Sequence, residues 1–151
     1  MTEAPEADSF EVERVMIQIG KAKRHRVAVL DDDQDVANSI ADYMTAIGLD
    51  AQALYALDRL MAEVESRPFD GYVIDWLIDQ QNARALIAAI RAHDPACPIV
   101  LLTGQLEKGN ADEGELASIS SFYRLTYFEK PIRTSSLLSA LQLGFDVPTG
   151  D

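Results

Sequence analysis

The sequence predicts an α/β protein built on a five-stranded parallel sheet with helices on both faces. Short apolar runs bounded by turn signals recur five times, and segments with helical hydrophobic spacing separate them. Strands that alternate with helices in this way favour parallel pairing with right-handed crossovers, because each helix returns the chain to the same edge of the sheet.

The apolar run at residues 71–74 is the element around which the chain is organised. A short continuous apolar run is typical of a strand that is buried on both faces, and this run ends in Asp75. Chemistry in open α/β sheets lies outside the carboxyl ends of the strands, so Asp75 occupies a candidate site position. Taken alone, Asp75 is equally well explained as a helix cap.

Other elements are predicted on both sides of this run. Strands are expected at residues 26–30, 50–55, 71–75, 98–102 and 127–131. The apolar helix faces comprise Val36, Ile40, Met44 and Ile47, then Leu57, Leu60, Met61 and Val64, then Leu86, Ile87 and Ile90, and finally Leu137, Leu138 and Leu141 after a Thr134 cap. Residues 105–125 are undecided, because their glycines and serines form helices poorly.

Composition and charge limit the functions that the chain can have. Its 151 residues, 48% hydrophobic and 25% charged, suffice for one globular domain. The net charge of −12 disfavours direct binding to nucleic acid. Without a membrane-length apolar run or a signal peptide, we expect a cytoplasmic protein with no membrane partner. The single cysteine, Cys97, excludes an internal disulfide and is expected to be buried.

Polar residues stand at the ends of four of the predicted strands. They are Asp31, Asp32, Asp75, Thr103 and Lys130. Three carboxylates in one crevice repel one another, and Mg²⁺, a hard cation that prefers oxygen ligands, is a suitable counter-charge. A carboxylate can attack phosphorus, while a metal, an ammonium and a hydroxyl neutralise the oxygens of the transferred group. The set therefore predicts a phosphoryl-transfer site.

Four motifs resemble the receiver domain of two-component response regulators. They are Val-Leu-Asp-Asp-Asp at 29–33, Ile-Asp-Trp at 74–76, Leu-Leu-Thr-Gly at 101–104 and Tyr-Phe-Glu-Lys-Pro at 127–131. The resemblance covers residues 26–143 and implies a flavodoxin-like sheet with strand order 2-1-3-4-5. It divides the chain into an N-terminal extension at 1–24, a receiver domain at 25–145 and a C-terminal tail at 146–151.

The resemblance also implies how the phosphoryl group is received. Asp75 accepts it from a sensor histidine kinase or a histidine phosphotransfer protein. The Mg²⁺ cofactor is bound by Asp32 directly, by Asp31 through water, by Asp75 and by the backbone carbonyl of Leu77. A module of this kind is not an enzyme beyond self-phosphorylation and autodephosphorylation, and its output partner is not specified.

Three further residues complete the implied machinery. Lys130 pairs with Asp75 before transfer and with the phosphoryl oxygens afterwards. Thr103 and Tyr127 form a two-position switch that reports phosphorylation to a distant face. The peptide bond between Lys130 and Pro131 is expected to be cis.

The chain departs from the family pattern at two places. Ile78-Asp79 stands where a Met-Pro pair is usual and Ala83 replaces a glycine, so the shape of the loop after Asp75 is open. We expect Asp79 to slow phosphoryl entry modestly. The separation of Thr103 and Lys130 is longer than usual, and no Gly-Ala pair precedes the fifth strand. We therefore expect the fourth helix to be short, displaced or mobile.

Several polar and aromatic residues receive structural interpretations. Asp33 is expected to cap the first helix, and His93 suits the dipole at the end of the third. His25 is expected at the surface of a basic linker. Trp76 is interpreted as a neighbour of the site, not a participant.

Two other functional classes remain as alternatives. Haloacid-dehalogenase phosphatases also use a strand-end aspartate with Mg²⁺, but the sequence at 31–35 lacks the threonine of their motif. A pseudo-receiver that binds partners without phosphate is disfavoured by the complete set of site residues.

Residues 9–20 lie outside the resemblance. They carry apolar residues at helical spacing, namely Val12, Val15, Met16 and Ile19. Because an isolated helix of this length is marginal in water, we expect the segment to pack on its own domain, on a second copy in a possible homodimer, or on a partner.

Overall fold

The computed structural model describes residues 24–104 and 111–145. Within these ranges the elements are β1 Arg26–Leu30, α1 Gln34–Ala46, β2 Asp50–Leu54, α2 Leu57–Ser66, β3 Gly71–Asp75, β4 Leu77–Ile78, β5 Gln81–Asn82, α3 Arg84–His93, β6 Ile99–Thr103, α4 Ala111–Tyr123, β7 Thr126–Glu129 and α5 Thr134–Phe145. The five longer strands form a parallel sheet in the order β2-β1-β3-β6-β7. This order confirms the flavodoxin-like fold.

Two hydrophobic cores lie on opposite faces of the sheet. Alternate residues of β1 point to opposite sides, so that Ala28 and Leu30 join one core while Val27 and Val29 join the other. Helices α2, α3 and α4 cover the first face, and helices α1 and α5 cover the second. The central strand β3 and its neighbour β6 are buried along their whole length, as expected for strands that are covered on both faces.

The first helix buries the middle of its predicted apolar face but not the end of it. Ile40 and Met44 are buried, and the Asp33 carboxylate accepts hydrogen bonds from the first backbone N–H groups, which confirms it as the cap. Ile47, however, is 44% exposed. It follows the last helical residue and has left helical geometry, so it no longer lies on the face that the spacing predicted. Val36 is only partly buried.

The second, third and last helices pack their predicted faces against the core, although Leu57 and Met61 of α2 are only partly buried. Leu60 and Val64 are buried in α2, as are Leu86, Ile87 and Ile90 in α3. The last helix buries Leu137 and Leu141, whereas Leu138 is half-buried. Its cap lies one residue earlier than predicted: Thr134 is already helical, and the carbonyl of Arg133 accepts the N–H groups of Ser136 and Leu137.

The fourth helix is longer than expected. It runs over 13 residues and buries Leu116 and Ile119, so the prediction of a short helix is wrong. The Arg91 side chain of α3 donates to the backbone oxygens of Tyr123, at 2.8 Å, and Arg124, at 3.2 Å, and so fixes the end of α4. Displacement or mobility of this helix stays a prediction.

The start of the described chain packs against its last helix. The His25 ring stacks on Phe145, with the ring centroids 4.0 Å apart, so His25 is half-buried instead of lying freely at the surface. A Cβ at Gly71 would lie 3.1 Å from the Phe145 ring, which explains why the smallest residue begins β3. The amphipathic segment at 9–20 lies outside the described residues, and the domain boundaries stay predictions.

Candidate functional site

The ends of β1 and β3 bring three carboxylates together. Oxygen atoms of Asp31, Asp32 and Asp75 all lie within 4.8 Å of one another. Asp31 and Asp75 are 3% and 8% exposed, whereas Asp32 is open to solvent. Parallel neighbours end at the same edge of the sheet, which is why residues 44 positions apart in sequence meet here. A cluster of carboxylate oxygens of this kind suits a hard divalent cation.

Lys130 supplies the protein's own counter-charge to this cluster. Its Nζ atom lies 2.9 Å from Oδ2 of Asp31 and 3.4 Å from Oδ2 of Asp75. The hydrogen bond is to Asp31, so the partner that the sequence emphasised is the more distant of the two. The backbone N–H of Lys130 donates to the Thr103 carbonyl at 2.7 Å, which joins the Lys130 loop to the end of β6. The Lys130–Pro131 peptide is cis, as predicted.

Burial dominates the electrostatics of Asp75. Desolvation, reinforced by the neighbouring charge of Asp31, raises the pKa of Asp75 to about 6 against the opposing effect of Lys130. Burial also works to lower the pKa of Lys130, but the two carboxylates outweigh it and raise that pKa above its ordinary value. At neutral pH the pocket therefore contains an ionised but unusually basic carboxylate beside a firmly protonated amine.

Asp31 and Asp32 have different surroundings. Both oxygens of Asp31 are engaged, Oδ1 by the Asp33 N–H at 2.9 Å and Oδ2 by Lys130. Asp32 accepts one backbone N–H, that of Asp79, at 3.0 Å. Asp32 therefore retains more free lone pairs for a cation than Asp31 does. The direct and water-mediated metal roles expected for Asp32 and Asp31 stay predictions.

The loop after Asp75 is a β-hairpin. Strands β4 and β5 pair antiparallel, with Leu77 opposite Asn82 and Ile78 opposite Gln81. Asp79 and Gln80 have positive φ angles of 50° and 68°, as the central residues of a type I′ turn do. The sequence did not reveal this turn, because neither position carries the usual Asn-Gly pair. The Leu77 side chain is 50% exposed, and metal binding by its carbonyl stays a prediction.

The expected switch residues lie on the other side of the pocket. Thr103 is buried at the end of β6, and its neighbour Leu102 lies opposite Asp75 in the register. Tyr127 on β7 is half-buried and packs against the core beneath α4. Trp76 is 2% exposed and belongs to the same core. The switching roles of Thr103 and Tyr127 stay predictions.

Cys97 lies outside the pocket and is buried, as expected. Burial, together with the nearby charge of Asp94, raises the pKa of its thiol to about 11, against the opposing influence of Arg91. The thiol is therefore protonated at neutral pH and is a poor nucleophile. Among the described residues, no helix is long and apolar enough to cross a membrane.

Fold and site together define an α/β sheet protein with an acidic pocket, able to hold a cation, at the carboxyl edge of its strands. The chain matches the family model described as "Response regulator receiver domain" over residues 27–142. It therefore belongs to the receiver-domain family of response regulators. Proteins of this family are signalling modules of two-component systems.

Solved structures share the fold of this chain. A response regulator receiver domain protein from Methanospirillum hungatei JF-1 aligns with a TM-score of 0.71 at 18% identity, covering 82% of this chain and 95% of that one. A receiver protein from Sinorhizobium medicae WSM419 gives 0.70 at 20% identity, covering 83% and 97%. The receiver domain of Francisella response regulator 1452 gives 0.66 at 23% identity, covering 81% and 97%. No curated protein matches the chain.

Proposed function

We propose that the protein is a phosphorylatable receiver module in which Asp75 accepts a phosphoryl group from a sensor histidine kinase or a histidine phosphotransfer protein. The observation that carries the proposal is the buried Asp75 carboxylate in contact with Lys130 and within 4.8 Å of two further carboxylates. Burial keeps its pKa near 6, so at neutral pH it is ionised and more basic than an exposed carboxylate, which favours nucleophilic attack.

The transfer step uses residues on both sides of the pocket. An oxygen of Asp75 donates a lone pair to phosphorus and forms an O–P bond. The P–N bond of the phosphohistidine breaks, and its electron pair returns to the imidazole nitrogen, which takes up a proton from solvent. Lys130, released from part of its pairing with Asp75, neutralises phosphoryl charge, and the Thr103 hydroxyl donates a hydrogen bond to a phosphoryl oxygen.

The acidic cluster fits a magnesium ion. Asp32 is open to solvent and Asp31 and Asp75 lie behind it, so Asp32 and Asp75 would bind the ion directly, Asp31 through water, and the Leu77 carbonyl would complete the protein ligands. A bound Mg²⁺ supplies positive charge against the oxygens of the transferred group. We propose that Thr103 and Tyr127 then adjust together and change an interaction surface for an unidentified output partner.

The test is phosphorylation by a small-molecule donor. Protein incubated with acetyl phosphate and Mg²⁺ is expected to gain a single acid-stable, base-labile phosphoryl group, detectable by mass spectrometry. Asp75→Asn should abolish the adduct. Asp32→Ala should remove metal binding, so that added Mg²⁺ no longer promotes adduct formation. Asp42→Asn, a change at an exposed aspartate of α1, is the matched control and should behave as the wild type does.

Three outcomes would contradict the proposal. An undiminished adduct in Asp75→Asn would remove Asp75 from its central role. Turnover of many equivalents of a phosphomonoester would indicate the hydrolase alternative instead, and full binding of partners without any adduct would indicate a pseudo-receiver.

A further inference from the structure

The hairpin that follows Asp75 adopts an unfavourable turn. Both central residues, Asp79 and Gln80, have left-handed φ angles, yet neither is glycine. Residues with a Cβ atom in this region cost about 1 kcal/mol or more each, and Gln lacks the local hydrogen bonding that helps Asp and Asn there. The surrounding structure must therefore stabilise the turn.

Three contacts hold the hairpin in place. Ile78 is 1% exposed and belongs to the core, and the Ala83 N–H donates to the Trp76 carbonyl at 3.0 Å. At the tip, the Asp79 N–H donates to Oδ2 of Asp32 at 3.0 Å. Ile78 anchors the strand directly beside the turn, the Ala83–Trp76 bond closes the base of the hairpin, and only the third contact engages the acidic cluster.

The orientation of the Asp32 carboxylate depends on the Asp79 N–H more than the orientations of Asp31 and Asp75 depend on any single donor. Asp31 is held by two donors and Asp75 lies beside Lys130, whereas Asp32 is exposed and, within residues 24–104 and 111–145, accepts a hydrogen bond only from the Asp79 N–H. Repulsion from the two buried carboxylates favours rotation of Asp32 away into solvent. A carboxylate has about four lone-pair positions, so one N–H can hold Asp32 inward and still leave oxygen sites for a cation.

We propose that the Leu77–Asn82 hairpin positions Asp32 for a divalent cation, and that Gln80 is a positioning residue because its positive φ closes the turn that presents the Asp79 N–H to Asp32. This inference rests on the proposed metal site and adds a dependence on a turn that does not itself supply a side-chain ligand.

The test compares one substitution at two places. Gln80→Val introduces a β-branched residue that disfavours positive φ, whereas Gln52→Val makes the same change at an exposed residue of strand β2, where valine is favoured. Isothermal titration with Mg²⁺ alone, supported by Trp76 emission, gives the affinity of each full-length protein. Gln80→Val should weaken Mg²⁺ binding by about three- to ten-fold, and Gln52→Val should leave it unchanged.

A third variant separates positioning from a loss of folding. Gln80→Gly relieves the strain and suits a type I′ turn, so it should bind Mg²⁺ at least as tightly as the wild type. Circular dichroism in EDTA should show all three variants folded at the titration temperature. Equal affinities for Gln80→Val and Gln52→Val, or weaker binding by Gln80→Gly, would overturn the inference while leaving the metal site intact. Failure of the wild type to bind Mg²⁺ would overturn the metal site itself.

Discussion

The pocket has two halves that are built differently. The acidic half comprises the ends of β1 and β3 with the hairpin, and its strands are central and buried. The cationic half comprises the ends of β6 and β7 with the Lys130 loop, and β7 is an edge strand with partly exposed side chains. The proposed phosphoacceptor, Asp75, thus lies on a strand that is buried along its whole length, whereas Lys130 and Tyr127 lie on the less buried side, where rearrangement costs less free energy.

The contact between the two halves can be broken by removing the lysine charge. Lys130→Met leaves two buried carboxylates without their amine, so the free energy of unfolding should fall by about 2 kcal/mol at pH 7.5 in EDTA, less than for a fully buried pair because Lys130 is partly exposed. Added Mg²⁺ should restore part of the loss. Chemical denaturation measures it, and Arg133→Met, an exposed cation of the same loop, is the control. Equal losses in the two variants would mean that the lysine charge does not join the halves.

Neutralising Asp75 should remove charge repulsion and a desolvation cost from the acidic half. Its pKa is about 6 in the fold against an ordinary value of 3.8, so between these pH values the folded protein holds a proton that the unfolded chain lacks. Stability therefore falls as pH rises from about 4 to about 6, and the ionised carboxylate opposes folding above that window.

Asp75→Asn lacks this cost. At pH 7.5 in EDTA its free energy of unfolding should exceed that of the wild type by about 1 kcal/mol. This is less than the full pKa shift of Asp75 would give, because solvent reaches part of the group. The difference should vanish below about pH 4. Thermal denaturation across pH measures it, and a constant difference at every pH would argue against titration of Asp75 as the cause.

Asp79 tests how the rim of the acidic half affects an incoming donor. Its carboxylate is exposed, so Asp79→Asn should speed phosphorylation by acetyl phosphate several-fold, about 1 kcal/mol at most. Asparagine tolerates positive φ and should keep the turn. The effect should shrink as salt is raised. Slower phosphorylation would instead assign the Asp79 side chain to metal binding.

The smallest expected effect concerns α4, beside the cationic half. The Ser120 hydroxyl is buried and finds no hydrogen-bond partner within residues 24–104 and 111–145. Ser120→Ala removes an unsatisfied polar group and adds helix propensity, so it should stabilise the protein by about 0.5–1 kcal/mol. Urea denaturation measures this, with the exposed Ser118→Ala as the control. A loss of stability larger than in the control would show that the hydroxyl has a partner.

The sequence predicted those features that depend on residues close in the chain. Asp75 could be placed because an apolar run ends there, and Asp33 because an aspartate precedes an amphipathic helix. The hairpin could not be predicted, because Asp79 and Gln80 lack the Asn-Gly signature of such a turn and the Asp79 N–H contacts a carboxylate 47 residues away in sequence. The length of α4 was underestimated for a similar reason, since Arg91 secures its end through tertiary hydrogen bonds.

The same Arg91 contacts make α4 a helix with one fixed end. Its last residues are held through backbone carbonyls, whereas the Arg84–Glu115 pair near its start joins exposed side chains and contributes little. If α4 were displaced, the hydrogen bonds at its end would favour a tilt about Tyr123, opposed by the buried Leu116, over a slide along its axis. For a helix about 20 Å long, a tilt of roughly 5° moves the far end by almost 2 Å. The end that would move is the start of α4, which is the end nearest Thr103 along the chain. A small tilt of the helix would therefore produce its largest displacement on the Thr103 side.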